Sequence, residues 1–171
     1  NGLPNVANRF QVNRMYNFNG IIYAGLDTMG VYILPDGGNT WSQRTTGLPA
    51  NVTVKSFAGY STVLFAGTDK GVFKSTNGGG LWNLSGMADT MVVDLIFRDN
   101  ILFASNYSAG VKVSSDLGQT WKNASNGMTG TKWAFTFTNT PNYLVAGTSD
   151  AKIYRTSNNG TNWEQCYSQS P

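Results

Sequence analysis

Leu34-Pro-Asp36-Gly-Gly38-Asn-Thr-Trp41, Ser75-Thr-Asn77-Gly-Gly79-Gly-Leu-Trp82, Ser114-Ser-Asp116-Leu-Gly118-Gln-Thr-Trp121 and Thr156-Ser-Asn158-Asn-Gly160-Thr-Asn-Trp163 are four versions of one phrase. The steps from Trp to Trp are 41, 39 and 42 residues. A second phrase precedes each copy: Ile22-Tyr-Ala-Gly25, Leu64-Phe-Ala-Gly67, Leu102-Phe-Ala-Ser105 and Leu144-Val-Ala-Gly147. Between the two come Val31-Tyr32, Val72-Phe73, Val111-Lys112 and Ile153-Tyr154. Linked motifs recurring in register at a fixed period are the mark of a repeat architecture.

Each period reads as strand throughout. In the second, Val52 to Phe57, Val63 to Ala66, Gly71 to Lys74 and Trp82 to Leu84 are short apolar runs bounded by Gly, Asn, Asp or Ser. Composition agrees, because the 171 residues include 19 Asn, 14 Ser, 18 Thr and 20 Gly, which disfavour helices and suit turns. Four short strands in about 40 residues is one β-propeller blade. The sequence therefore predicts an all-β propeller of four-stranded antiparallel blades, spanning about 5–45, 50–86, 90–125 and 130–168. Within each phrase the Asp or Asn side chain is expected to bond the backbone two residues on, with the following Gly supplying a positive φ. The Trp is expected to wedge between blades. Gly2-Leu3-Pro4 repeats Gly47-Leu48-Pro49, the link after a blade's last strand, so four whole blades are counted. They close alone, or pair with another copy, or belong to a larger ring.

The phrase resembles the Asp-box, or BNR repeat, Ser-x-Asp-x-Gly-x-x-Trp, of sialidases, xyloglucanases, sortilin-type receptors and a photosystem II assembly factor. Ser114, Asp116, Gly118 and Trp121 match fully. Ser75, Asn77, Gly79 and Trp82, and also Asn158, Gly160 and Trp163, carry Asn for Asp, while Asp36, Gly38 and Trp41 follow Leu34 instead of Ser. The resemblance implies a propeller fold and a structural role for the boxes, on turns away from the substrate face. The blade phrases are also similar to extracellular repeat proteins of Bacteroidetes-type bacteria.

Absences narrow the chemistry. There is no His, which removes the usual general base and commonest metal ligand, and Cys166 is the single Cys. No metal or cofactor is expected. Net charge is +3, but the twelve cations are dispersed, so nucleic acid is not an expected partner. No apolar run is long enough to span a membrane. Resemblance to sialidases implies an arginine triad, a Tyr-Glu pair and an Asp acid, yet Glu164 is the one Glu and falls on an outermost strand. Asp27, Asp69 and Asp150 occupy equivalent turns and read as solvated turn-formers. Five Asn-x-Ser/Thr sequons (Asn51, Asn83, Asn106, Asn123, Asn159) are near the number chance gives in so Ser/Thr-rich a chain. Cys166 reads as a small buried hydrophobe or an intermolecular thiol.

Aligning the blades on Ala24, Ala66, Ala104 and Ala146 puts Arg14, Ser56, Asp94 and Thr136 in one slot of the innermost strand. Their neighbours Met15, Phe57, Leu95 and Phe137 are apolar, so the slot is expected to face the axis, Arg14 opposite Asp94. Tyr60, Tyr107 and Trp133, at strand ends or turns, are candidate stacking surfaces for a sugar or a protein. The expectation is a non-catalytic propeller module for binding or assembly, with a protein or glycan ligand. It is expected outside a bacterial cell or on its surface, as a processed piece whose signal peptide is gone. Further blades, from a second copy or a longer parent, are the expected partners. The alternatives are a fragment of a glycoside hydrolase whose catalytic residues lie elsewhere, and a subunit polymerising through open blade edges.

Overall fold

The computed structural model describes residues 1–4, 11–35, 37–130 and 134–168. Among the described residues, sixteen strands form four antiparallel sheets in which sequence neighbours pair. Blade 1 holds β1 (Val12–Phe18), β2 (Ile21–Leu26), β3 (Gly30–Pro35) and β4 (Ser42–Gln43). Blade 2 holds β5 (Val54–Tyr60), β6 (Val63–Thr68), β7 (Gly71–Ser75) and β8 (Asn83–Leu84). Blade 3 holds β9 (Val92–Arg98), β10 (Ile101–Asn106), β11 (Gly110–Ser114) and β12 (Lys122–Asn123). Blade 4 holds β13 (Ala134–Asn139), β14 (Leu144–Thr148), β15 (Lys152–Thr156) and β16 (Glu164–Ser168).

The apolar core lies between blades. Tyr23, Val31 and Ile33 of blade 1 pack on Phe57, Leu64, Phe73 and Trp82 of blade 2. Phe65 and Val72 pack on Val92, Leu95 and Leu102, and Phe103 and Val111 pack on Phe137, Leu144, Tyr154 and Trp163. Each blade thus has a leading face, turned to the blade before it, and a trailing face, turned to the one after. The innermost strands β1, β5, β9 and β13 pack in that order, and no comparable packing joins β13 to β1 among the described residues.

The boxes hold the outer hairpins by a denser network than the expected two-residue turn. Ser114 Oγ accepts from the amides of Asp116 and Gly118, and donates to Asp116 Oδ1. Asp116 Oδ1 accepts from the amides of Gln119 and Thr120, three and four residues on. Asn77 and Asn158 likewise accept from the amides of Leu81 and Asn162, four residues on. An Asn oxygen serves as well as a carboxylate here because the donors are amides in a fixed loop. Gly79, Gly118 and Gly160 have φ of 84°, 81° and 79°, as the turn requires. In the first box Gly38 donates to Pro35 O, and Asp36 lies outside the described residues.

The tryptophans join blades by hydrogen bonds as well as by packing. The indole Nε1 of Trp82, Trp121 and Trp163 donates to Arg44 O, Ser85 O and Ala124 O, each on the preceding blade. Trp82 and Trp163 are buried, whereas Trp41 and Trp121 are half-buried.

Hydrogen bonds from Thr120 and Ser114 hold the Asp116 carboxyl well below the usual carboxylate range. A depressed folded-state pKa adds stability above the unfolded value near 4 and loses it as pH falls. Stability of the wild type is therefore expected to decline below about pH 4, and Asp116→Asn to flatten that decline. Urea midpoints between pH 2 and 5 test this, and equal slopes for the two proteins would refute it.

Candidate ligand pocket on the propeller axis

A register shift in each innermost strand governs where the axial slot points. It falls between Val12 and Arg14, Val54 and Ser56, and Ala134 and Thr136, and opposite Ser105 and Asn106 in blade 3. The extra residue puts Val12 and Met15 on one face and turns Arg14 to the other, the trailing side. The four slot residues therefore share one register position, aimed between blades as much as at the axis. Ser56 is buried and its Oγ has no hydrogen-bond partner among the described residues. Arg14 and Thr136 are exposed. Met15 departs from its apolar counterparts, being 51% exposed against 1% for Phe57.

Asp94 is the buried charge of the site. Its Oδ1 accepts from the Leu95 amide at 3.0 Å, and its Oδ2 accepts from the Phe137 amide at 2.7 Å, so the carboxyl ties blade 3 to blade 4. Ser105 Oγ in turn accepts from the Asp94 amide. Burial raises the Asp94 pKa above the ordinary carboxyl value. The Phe137 amide, the positive charge of Arg14, the Leu95 amide and the Thr136 hydroxyl act against that rise without cancelling it. A raised carboxyl binds its proton more tightly folded than unfolded, so its ionisation opposes folding as pH rises through the folded value.

Between Arg14 and Asp94 opens a cavity of about 310 Å³, lined also by Tyr16, Phe57, Phe97 and Phe137. It offers one exposed cation, one buried carboxyl with its backbone donors, and aromatic walls. That combination suits recognition of a small polar group or side chain. Asp94 is the one carboxylate among the described lining residues. Asp27 and Asp69 lie instead at the β2–β3 and β6–β7 turns, where Thr53 Oγ1 donates to Asp27 and the Thr53 amide donates to Asp69. Asp27 thereby stitches blade 1 to blade 2, while Asp69 holds the segment before β5 within blade 2, and both do more than form turns. Asp150 accepts from Thr148 and pairs with Lys152 at 2.7 Å.

The remaining candidates scatter. Tyr60 ends β5 with its ring 5.3 Å from that of Phe97, and Tyr107 sits exposed in the β10–β11 turn. Trp133 lies outside the described residues. Glu164 is on β16 beside Arg155, far along the sheet from the axial strand. Cys166 is exposed on β16, which removes the reading of a buried hydrophobe. Sequence reasoning missed Tyr16, whose hydroxyl accepts from the Gly59 amide of the next blade at 2.9 Å. It also missed the clamps between hairpin tips: Asn19 to Ser61 O, Arg98 to Thr140 O and Asn139 to Phe97 O. These residues do not recur at every blade, so the repeat carried no signal for them.

No protein-family model matches the chain, and no curated protein matches its sequence. Solved structures do resemble it. An ancestral GH74 enzyme is 22% identical with a TM-score of 0.79, over 94% of this chain and 24% of that one. The extracellular domain of a hybrid two component system from B. thetaiotaomicron is 12% identical with a TM-score of 0.77, over 93% of this chain and 22% of that one. YCF48 bound to D1 peptide is 15% identical with a TM-score of 0.64, over 86% of this chain and 52% of that one. The chain thus spans about a quarter of the first two proteins and half of the third. At such identities the likeness is one of fold, an all-β propeller of four-stranded blades. No helix among the described residues is long and apolar enough to cross a membrane.

Proposed function

We propose that the chain is a non-catalytic propeller module, working outside a bacterial cell or on its surface, that holds a protein or glycan ligand over the axial pocket. The observation that carries this is the cavity between Arg14 and Asp94, walled by Tyr16, Phe97 and Phe137. Aromatic walls stack on sugar rings or side chains, and an exposed guanidinium beside them takes a carboxylate or a hydroxyl pair. Its likeness to an extracellular domain and to a peptide-bound propeller supports the location and the ligand class. Asp94 has both oxygens engaged by backbone amides and acts as a blade clamp, which supports the absence of catalysis. A fragment of a GH74-like hydrolase is the second reading, favoured by the likeness to a quarter of such an enzyme.

Calorimetric titration with a xyloglucan heptasaccharide and with a short peptide bearing a free C-terminal carboxylate tests the proposal. One of the two should bind, and Arg14→Ala should weaken it at least about tenfold, the loss expected of a charged hydrogen bond. Binding by neither probe, or binding indifferent to Arg14→Ala, would overturn the axial site. Release of reducing ends from xyloglucan by the purified chain would overturn the non-catalytic reading.

A further inference from the structure

The slot of the innermost strand is filled differently at each junction between blades, and one filling leaves a backbone donor without an acceptor. Met15, Phe57, Leu95 and Phe137 follow the slot and pair with Ala24, Ala66, Ala104 and Ala146 of the second strand. In an antiparallel ladder, backbone amides point alternately towards the partner strand and away from it. Those of Leu95 and Phe137 point away, since both donate to the Asp94 carboxyl. In blade 2 the Gly59 amide points away from β6, to the Tyr16 hydroxyl. The register is unbroken from Ser56 to Tyr60, so the Phe57 amide, two residues before Gly59, points away as well. Such an amide needs an acceptor from outside its own sheet.

Between blades 3 and 4 the slot residue supplies that acceptor: Asp94 Oδ2 takes the Phe137 amide at 2.7 Å. Between blades 1 and 2 the slot residue is Arg14, whose side chain has donors only. Ser56, the slot residue of blade 2 itself, does not serve either, because its Oγ has no hydrogen-bond partner among the described residues. The Phe57 amide is therefore left without an acceptor among the described residues, although Phe57 is 1% exposed. A buried N–H in that state is rare in folded proteins. Phe57 lines the axial cavity together with Arg14 and Tyr16. Among the described residues Arg14 takes part in no ion pair, unlike Lys55, Lys70, Arg98, Lys152 and Arg155. Tyr16, having accepted from Gly59, keeps its own hydroxyl proton to give. The wall of the cavity nearest blade 1 is thus a wall of donors.

We infer that the axial pocket takes the carboxylate of an Asp or Glu side chain from a protein partner, lodged between Arg14 and the Phe57 amide as the Asp94 carboxyl is lodged against the Phe137 amide. A carboxylate is the group that fits, because it accepts from several donors at once and its charge answers the guanidinium. A protein side chain rather than an acidic sugar is the carrier because of reach. Asp94 brings its carboxyl between two blades on a single methylene, and the Phe57 amide belongs to a residue as buried as the one Asp94 reaches. Methylenes of a side chain can follow the carboxylate in and pack on Phe57 and Phe97. A uronic acid carries its carboxyl directly on the ring, which would have to enter with it. The inference rests on the axial pocket being a ligand site and names the group held there.

Two-dimensional amide NMR of the isotope-labelled chain reads the Phe57 amide directly. N-acetylglutamate α-amide should move its proton downfield and saturably, whereas the neutral isostere N-acetylglutamine amide should not. Arg14→Gln should weaken the glutamate probe at least about tenfold, the loss expected of a charged hydrogen bond. Arg14→Asp puts a carboxyl on the same stem and in the same slot as Asp94. It should move the Phe57 proton with no ligand added and abolish the response to the probe, and a dispersed spectrum shows that the variant has folded. A Phe57 proton left in place by the glutamate probe or by Arg14→Asp would overturn the inference, as would an equal response to the charged and neutral probes. Methyl galacturonide acting at lower concentration than the glutamate probe would give the site to an acidic glycan and overturn the protein partner. Binding of the neutral heptasaccharide in the cavity with the Phe57 proton unmoved would leave the pocket reading intact while removing this one. Silence of every cavity amide towards every probe would remove both.

Discussion

Trp82→Ala is expected to lower the unfolding free energy by about 3–5 kcal/mol, the cost of removing a buried indole from a packed interior. The side chain is 1% exposed and sits between blades, among Tyr23, Val31 and Ile33 on one side and Phe73 on the other. Its truncation opens a cavity that neither sheet can fill, because the backbones on both sides are held by their own ladders. It also strands Arg44 O, which accepts the indole N–H at 3.0 Å. Trp82→Phe separates the two effects: most of the wedge stays and the donor goes, so a loss of about 1–2 kcal/mol is expected. Urea unfolding followed by far-UV circular dichroism measures both. If Trp82→Phe cost as much as Trp82→Ala, the hydrogen bond rather than the wedge would be what holds the blades together.

Blade number, strand pattern and box positions were legible because the chain states them four times. Val31, Val72, Val111 and Ile153 occupy one place in each blade, and any one reading is checked by three others. What the repeat does not state was not legible. The extra residue in each inner strand has no side-chain signature: Asn13, Lys55 and Val93 fill it in the first three blades. Simple alternation therefore aimed the axial slot at the channel alone, whereas the shifted register aims it between blades as much as at the axis. Asp94 is buried and Met15 exposed although they stand at aligned or adjacent positions, because what packs over each side chain sets its burial. Pattern reports which residue occupies a slot, and only assembly reports what covers it.

Gly47→Ala is expected to cost at least about 3 kcal/mol, with Gly20→Ala as the measure of how much of that is backbone strain alone. Both glycines have positive φ, 87° and 79°, so an added Cβ is strained at either by roughly 1–2 kcal/mol. They differ in surroundings. A Cβ on Gly20 would meet nothing within 4 Å, whereas one on Gly47 would collide with Trp82 O. That carbonyl belongs to the backbone of the next blade and is fixed by the Trp82 amide bond to Thr46 O, so it cannot swing aside as a side chain would. Relief requires the link to lift off blade 2, which would pull Thr46 O from the Trp82 amide and loosen Leu48 from the interblade core. Gly47→Ala should therefore exceed Gly20→Ala by about 2 kcal/mol, measured by urea unfolding of the two variants beside the wild type. Equal losses would place the whole penalty in φ and deny the Trp82 carbonyl any part in setting the spacing of the blades.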